Sequence, residues 1–169
     1  PVAEDALILG ISGRYEFKNK GIDVFIDAMG QLNRNNGLGK EVLAFILVPA
    51  GHAGANKELL HNLELPYQAV TATDLYLTHY LNDSANDPVM NRIRAQKLRN
   101  SEEDKVKIFF VPSYLNGDDG VFNMPYYDLL VGTVLTAFPS YYEPRGSTPL
   151  ERLAFKVPTI TTTLAGFGL

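Results

Sequence analysis

The stretch Ala6-Leu-Ile-Leu-Gly-Ile11, followed by Ser12-Gly-Arg-Tyr-Glu-Phe-Lys-Asn-Lys-Gly21, decides the fold. A short, continuous apolar run between polar residues is typical of a strand that is covered on both faces. After the polar loop, apolar side chains recur at helical spacing until the polar and glycine-rich residues 33–39 end the pattern; they are Ile22, Phe25, Ile26, Met29 and Leu32. The chain therefore opens with a buried strand, a polar loop and an amphipathic helix.

The buried-strand pattern returns further along the chain. We predict strands at residues 42–48, 106–111, 134–138 and 158–162. Helical patterns separate most of them, and two more helices are predicted at 74–81 and 88–98. Strands that alternate with helices form a parallel sheet with right-handed crossovers, which binds ligands at the carboxyl ends of its strands. The predicted fold is α/β: one Rossmann-like domain over residues 1–169, with helices on both faces of a parallel sheet.

Length and composition exclude several classes of protein. A chain of 169 residues is close to the size of one ordinary domain. Its 15 Lys plus Arg against 19 Asp plus Glu give a net charge of −4, which disfavours nucleic acid and membrane partners. The absence of cysteine excludes disulfides and thiolate zinc sites and fits the cytoplasm. The start at Pro1 and the stop at Leu169, within a Gly-rich apolar stretch, predict an excised fragment.

The three histidines are poor candidates for a metal site. His52, His61 and His79 lack the spacing of metal ligands. We expect them to be imidazoles at the surface or at the edge of the core.

The loop after the first predicted strand contains Arg14 and Lys20. Because it follows a parallel strand, these side chains are expected at the carboxyl edge of the sheet. Arginine can bind phosphate oxygens with two hydrogen bonds, and lysine adds a mobile point charge. The loop has neither a P-loop nor a Gly-x-Gly-x-x-Gly pattern, which argues against Walker-type phosphoryl transfer and dinucleotide chemistry. An anion site and an ordinary surface loop fit these residues equally well.

The stretch 138–151 passes from a predicted strand through a loop into a helix. Its end predicts a helix start, with Thr148 as N-cap and Glu151 as its capping-box partner. The free amides at Gly146, Ser147 and the helix start, together with the helix dipole, would form a second diphosphate site facing the first.

Two further residues have a functional and a structural interpretation. Glu143 follows an apolar strand and has no capping role, so it is a candidate site residue, although a solvated loop carboxylate is as good an explanation. Tyr126, in the segment Asn123-Met-Pro-Tyr-Tyr-Asp128, could offer its ring to a base or pack against the core.

Taken together, these residues resemble the glycogen synthases of the animal and fungal type, which are retaining glycosyltransferases of GT-B architecture. The resemblance covers essentially the whole chain. It rests on residues 12–28, on Asp87-Pro-Val-Met90, on Phe138-Pro-Ser-Tyr-Tyr-Glu-Pro144 and on residues 158–168. It implies that the chain is the C-terminal, nucleotide-sugar half of such an enzyme, without the acceptor domain.

The resemblance also implies roles for individual residues. Arg14 and Lys20 match the pair that neutralises the donor diphosphate, and residues 146–148 match the amides that meet it. Tyr126 matches the aromatic residue that stacks on uracil, and Glu151 the carboxylate that holds the ribose.

The same resemblance implies a reaction. Glu143 matches a carboxylate that contacts the transferred glucose. Family members move glucose from UDP-glucose or another nucleotide-glucose to the non-reducing end of an α-1,4-glucan, without a metal or other cofactor. We therefore expect a fragment that binds the donor but is inactive alone, because the glucan acceptor binds through the missing domain. The parent enzyme could be a homo-oligomer.

The chain departs from the family at several positions. Arg145 and Ser147 stand where the family has Trp and Tyr, and Arg152 and Lys156 where it favours small residues. The excursion after the second strand is shorter than in eukaryotic members, which suggests a bacterial or archaeal branch. Alternatives are a nucleotide-binding or interaction module without turnover, and a domain like the nucleotide-sugar 2-epimerases. The sequence leaves UDP-glucose and ADP-glucose open as donors.

Overall fold

The computed structural model describes residues 5–35, 37–64, 75–144 and 147–166. Seven strands and five helices occur in these residues, in the chain order β1 Leu7–Ser12, α1 Ile22–Arg34, β2 Val42–Leu47, β3 His52–Ala55, α2 Lys57–Glu64, β4 His79–Leu81, α3 Pro88–Ala95, β5 Val106–Val111, α4 Tyr126–Val131, β6 Leu135–Phe138, α5 Ser147–Ala154 and β7 Thr159–Thr161.

The main sheet has five strands in the order β5-β2-β1-β6-β7. All neighbours are parallel, with Leu7 opposite Val42 in the β1–β2 pair. This confirms the predicted parallel sheet.

The strand order reverses direction at β1. From β1 the chain adds β2 and β5 on one side, and then β6 and β7 on the other. Right-handed crossovers therefore place α1 and α5 on opposite faces of the sheet. A reversal of this kind opens a crevice at the carboxyl ends of the two strands that flank it, here β1 and β6. The β1–α1 loop (residues 13–21) and the described part of the β6–α5 loop (residues 139–144) border that crevice.

The apolar face of α1 lies in the main core. Ile22, Phe25 and Ile26 are at most 3% exposed and belong to one cluster with residues of α3, β2 and β5. Each such side chain contributes about 1.5–3 kcal/mol through burial. The helix and the sheet edge that position the β1–α1 loop are therefore rigid.

The predicted helix at 74–81 is wrong. From residue 75 onward the chain is extended: Leu77 pairs with Phe110, and β4 pairs antiparallel with β3 in a second, small sheet. The Phe110 amide donates to the Tyr76 carbonyl at 2.7 Å. This pairing with the edge strand β5 outweighs local helix propensity, as is common for segments rich in Tyr and Thr. Asp74 lies outside the described residues.

His79 also differs from the expectation, because it is completely buried. Its Nε2 is 2.7 Å from the Asp119 carbonyl, and its Nδ1 is 2.8 Å from Thr78 Oγ1. These hydrogen bonds compensate the burial of both ring nitrogens. Among the described residues, no group of three or more His, Asp or Glu side chains is arranged to hold a metal ion.

None of the helices in the described part of the chain is long and apolar enough to cross a membrane.

The Asp104 carboxylate stabilises the turn before β5 through hydrogen bonds. It accepts hydrogen bonds from Asn33 Nδ2 at 2.7 Å, from the amide and hydroxyl of Ser101, and from the Arg99 amide. Burial raises the pKa of this carboxyl, but the hydrogen bonds outweigh burial and lower the pKa below its usual value. The carboxylate therefore stabilises the fold above the unfolded-state pKa of about 4, and this stabilisation is lost as the pH falls through the folded-state value.

We expect Asp104→Asn to destabilise the protein by about 1–3 kcal/mol at pH 7, because strong acceptors of backbone and amide donors are lost. The difference in melting temperature from the wild type should shrink as the pH falls below about 4. Melting curves from pH 2.5 to 7 measure both effects, with Asp118→Asn at an exposed site as control. A difference that stays constant with pH would contradict this role.

Candidate functional site

The β1–α1 and β6–α5 loops are joined directly. The Tyr141 amide donates to the Asn19 carbonyl at 2.8 Å. Lys20 Nζ forms an ion pair with the Glu143 carboxylate. Gly21, in the left-handed conformation at φ 68°, lies so close to Pro139 that there is no room for a side chain. The two loops therefore form one unit at the β1–β6 crevice.

The Lys20–Glu143 ion pair lies in a small pocket. The side chains are 15% and 23% exposed, and Ser12, Ser140, Pro149 and Thr161 are among the pocket's walls. Burial lowers the pKa of the Lys20 ammonium, Arg14 lowers it further by charge repulsion, and Glu16 opposes both. A partly buried ammonium beside a pocket near a helix start has the chemistry to bind an anion.

A larger cleft of about 380 Å³ adjoins this pocket. Its walls include Tyr114, Asn116, Tyr126 and Glu151. Ser12, the last residue of β1, lines both the pocket and the cleft. The pocket and the cleft therefore meet at Ser12.

Tyr126 is the first residue of α4, and its ring belongs to the cleft. Its hydroxyl is 2.7 Å from Ser12 Oγ, and its amide donates to the Leu115 carbonyl at 3.0 Å. The residue is half-buried in the wall of the cleft, and its ring lies edge-on to the Tyr127 ring at 5.5 Å between centroids, so that stacking on a base stays a prediction.

Arg14 is placed differently from Lys20. Its side chain is 79% exposed and lies 3.2 Å from Glu16. The two cations are close enough for the charge of Arg14 to affect Lys20, but the guanidinium points to the surface of the loop.

The start of α5 corrects one prediction. The helix begins at Ser147, so Thr148 lies inside the first turn and is not the N-cap. Glu151 is therefore one turn into the helix, too far along to be the partner in a capping box. It is exposed and lines the cleft beside Tyr126. Gly146 and Arg145 lie outside the described residues.

Glu143 has structural contacts that the sequence did not reveal. Besides pairing with Lys20, its carbonyl accepts a hydrogen bond from the Gly166 amide at 2.8 Å. The interpretation of Glu143 as a solvated loop carboxylate is therefore wrong. Sequence alone missed the pair because the partners are 123 residues apart.

Sequence reasoning also missed Ser12 and the segment 113–116 as parts of the site. Ser12 ends β1 and the segment 113–116 follows β5, so both lie at the carboxyl edge of the main sheet. The rule that ligands bind at this edge was a sufficient signal for finding them.

The arrangement combines complementary groups for one kind of ligand. Lys20, with Arg14 nearby, attracts negative charge, and the Tyr126 ring offers an apolar face. The Glu151 carboxylate accepts hydrogen bonds from hydroxyl groups. An anionic ligand with an aromatic ring and hydroxyls would use all of them.

Comparison with solved structures gives a match to WaaG, a glycosyltransferase involved in lipopolysaccharide biosynthesis. The TM-score is 0.47 and the sequence identity 16%, over 98% of this chain and 31% of WaaG.

Comparison with curated proteins gives glycogen [starch] synthases. Isoform 2 from Saccharomyces cerevisiae is 32% identical over 225 residues, which cover 98% of this chain and 32% of the yeast protein. The Neurospora crassa protein is 32% identical over 98% of this chain and 31% of its own length, and the liver protein of Rattus norvegicus is 29% identical over 98% and 30%. This chain thus spans less than a third of the length of each of these relatives.

The alignment with the yeast protein is longer than the 169 residues of this chain, so the yeast protein has residues without a counterpart here. The glycogen synthase family model matches residues 2–74 and 74–169. The two parts meet at residue 74, inside the excursion that was expected to be short. With nearly every residue included in the match, the chain belongs to the glycogen synthase family.

Proposed function

We propose that this chain is the donor-binding domain of a retaining glucosyltransferase that transfers glucose from a nucleotide-glucose to an α-glucan. The observation that carries the proposal is that the pocket containing Lys20 and the cleft containing Tyr126 and Glu151 share one wall residue, Ser12, at the β1–β6 crevice. The family of the chain supports the same activity.

The cleft is proposed to bind the nucleoside. The Tyr126 ring stacks on the base, with its hydroxyl held by Ser12, and ring stacking of this kind stabilises aromatic ligands by about 0.5–1.5 kcal/mol. Glu151 accepts hydrogen bonds from the ribose hydroxyls. We propose UDP rather than ADP as the nucleotide, as the resemblance implies.

The small pocket is proposed to bind the diphosphate. Lys20 supplies a partly buried positive charge, and Arg14, whose guanidinium points to the loop surface, would have to turn towards the phosphates to contact them. The first turn of α5, with Ser147 and Thr148, adds free amides and the positive end of the helix dipole. Gly146 belongs to the same proposed set.

Donor binding then requires Lys20 to change its partner. Without a ligand its ammonium pairs with Glu143, and the diphosphate competes with that carboxylate. We propose that Glu143, once released, faces the glucose next to the diphosphate. No metal takes part in this scheme, because Lys20, Arg14 and the helix start neutralise the leaving phosphate.

The remaining parts of the proposal concern the parent protein. The glucan acceptor binds to a further domain, so the isolated chain binds UDP weakly and turns over nothing. The parent protein acts in the cytoplasm and could assemble with copies of itself.

Removing the cations tests the proposal. Arg14→Ala and Lys20→Ala should each weaken UDP binding by roughly tenfold to a hundredfold, since a charge-assisted contact is worth about 1.5–3 kcal/mol. Uridine binding should change little, because uridine has no phosphate. Isothermal calorimetry with UDP, ADP and uridine measures these affinities.

Lys97→Ala serves as a matched control for the loss of one positive charge, because Lys97 follows α3, away from the β1–β6 crevice. Equal losses for UDP and uridine in the two loop variants would mean that the loop had misfolded. Unchanged UDP affinity in both would overturn the proposed diphosphate site.

A further inference from the structure

A hydrogen bond links the β1–α1 loop to α3. The Tyr15 hydroxyl donates to Asp87 Oδ2 at 2.6 Å. The Tyr15 ring lies 6.2 Å from the Phe110 ring, centroid to centroid, at the edge of the main core. The residue next to Arg14 is thus fastened to the body of the domain through both its ring and its hydroxyl.

The two carboxylate oxygens of Asp87 accept hydrogen bonds from different parts of the chain. Its Oδ1 accepts a hydrogen bond from the Met90 amide at 2.9 Å and so caps α3, while Oδ2 accepts from Tyr15. Asp87-Pro-Val-Met90 is one of the conspicuous motifs of the sequence, and the proposed donor site does not account for it.

The geometry points to Tyr15 as a positioning residue for the diphosphate site, acting by holding Arg14 in place through its bond to Asp87. This inference rests on the proposed function of the loop. Arg14 is 79% exposed and cannot be fixed by packing of its own side chain. Its contact within the loop is the exposed ion pair with Glu16, so the region that its side chain can reach is set by the position of the loop backbone, which Tyr15 anchors at the next residue.

The bond persists over the working pH range. Burial raises the pKa of the Tyr15 hydroxyl, the hydrogen bond to Asp87 and its negative charge raise it further, and a backbone hydrogen bond from Val89 opposes them. The phenol stays protonated and remains the donor. Without the bond, the loop must be ordered when the diphosphate binds, and that loss of conformational entropy weakens affinity.

Two substitutions separate this role from general stability. Tyr15→Phe removes the hydroxyl and keeps the ring. Asp87→Ser keeps an N-cap for α3, since serine caps about as well as aspartate, but is too short to reach Tyr15. Tyr80→Phe is the matched control. Tyr80 lies in β4 of the second sheet, and the substitution removes a hydroxyl that accepts a hydrogen bond from the Lys57 amide at the start of α2.

Each of the two substitutions should weaken UDP binding about tenfold, and the double variant should lose no more than either alone. Uridine binding and the control should be unchanged in calorimetry. In hydrogen exchange, amides 14–20 should exchange faster in Tyr15→Phe than in the wild type, while α3 stays protected. Tenfold losses that multiply in the double variant, or equal losses for uridine, would overturn the positioning role.

Hydrogen exchange keeps this test separate from that of the proposed function. If the wild type binds neither UDP nor ADP, the proposed function fails, and the exchange rates still decide whether Tyr15 anchors the loop. Unchanged exchange at residues 14–20 in Tyr15→Phe would refute the inference, whatever the nucleotide affinity.

Discussion

Gly21→Ala should destabilise the protein by about 2–5 kcal/mol. The variant should show no UDP binding at concentrations that saturate the wild type. A left-handed conformation costs alanine about 1–2 kcal/mol, and overpacking adds about 1–3 kcal/mol. Gly21 has φ 68°, and a Cβ there would lie 2.0 Å from the Pro139 carbonyl oxygen. The Cβ position is fixed by the backbone and the Pro139 oxygen is a backbone atom, so neither can rotate away and the two loops must separate.

Thermal melting and calorimetry measure the two effects. The loss in stability corresponds to a fall of roughly 4–20 °C in melting temperature for a chain of this size. Gly39→Ala is the matched control, because a Cβ at Gly39 meets no atom within 4 Å. If Gly21→Ala melts and binds UDP like Gly39→Ala, the close contact between the loops is not needed for the site.

Glu143→Gln should reduce glucosyl transfer by the full-length parent protein at least about a hundredfold, the usual loss when an electrostatic group at a reacting centre is removed. UDP affinity should not fall. Glutamine keeps the shape of the side chain and an acceptor for Lys20, but without the negative charge it competes less well with a diphosphate.

Two measurements test Glu143→Gln. An assay of glucose transfer from UDP-glucose to glycogen gives the activity, and calorimetry gives the affinity for UDP. Glu103→Gln, at an exposed position in the loop before β5, is the control. Normal transfer in the Glu143 variant would exclude that residue from the reaction. A tenfold loss of UDP affinity with normal transfer would mean that Glu143 holds the nucleotide instead.

The central strands of the main sheet could be predicted from the sequence because they are almost entirely apolar. Residues 42–48 are apolar throughout, residues 106–111 contain one polar residue, Lys107, and the helical spacing from Ile22 to Leu32 is regular. The position of the site followed from this, since ligands in such folds bind at the carboxyl ends of the strands.

The errors arose where distant contacts decide local structure. Residues 75–81 are extended because they pair with Phe110 and with β3, partners that periodicity does not reveal. Lys20 and Glu143 were each predicted separately as candidate site residues. Their ion pair could not be predicted, because it depends on how the two loops meet. The Tyr15–Asp87 bond likewise joins residues 72 positions apart.

The capping box at Thr148 failed for a different reason. Its sequence pattern is sound, but α5 starts at Ser147, two residues before Pro149, where a helix capped by Thr148 would begin. Helix ends are decided by a few hydrogen bonds, and their positions are the least predictable part of a helix. Glu151 consequently lies beside the cleft instead of serving the helix start.

A crystal structure of the chain with UDP is the most direct test of the central claim, that the β1–β6 crevice binds the nucleotide of the donor. We expect the uracil on Tyr126, the ribose at Glu151 and the diphosphate on Lys20, with the Lys20–Glu143 pair opened. UDP bound elsewhere on the domain, or bound with Lys20 still paired to Glu143 and the diphosphate in solvent, would contradict the claim.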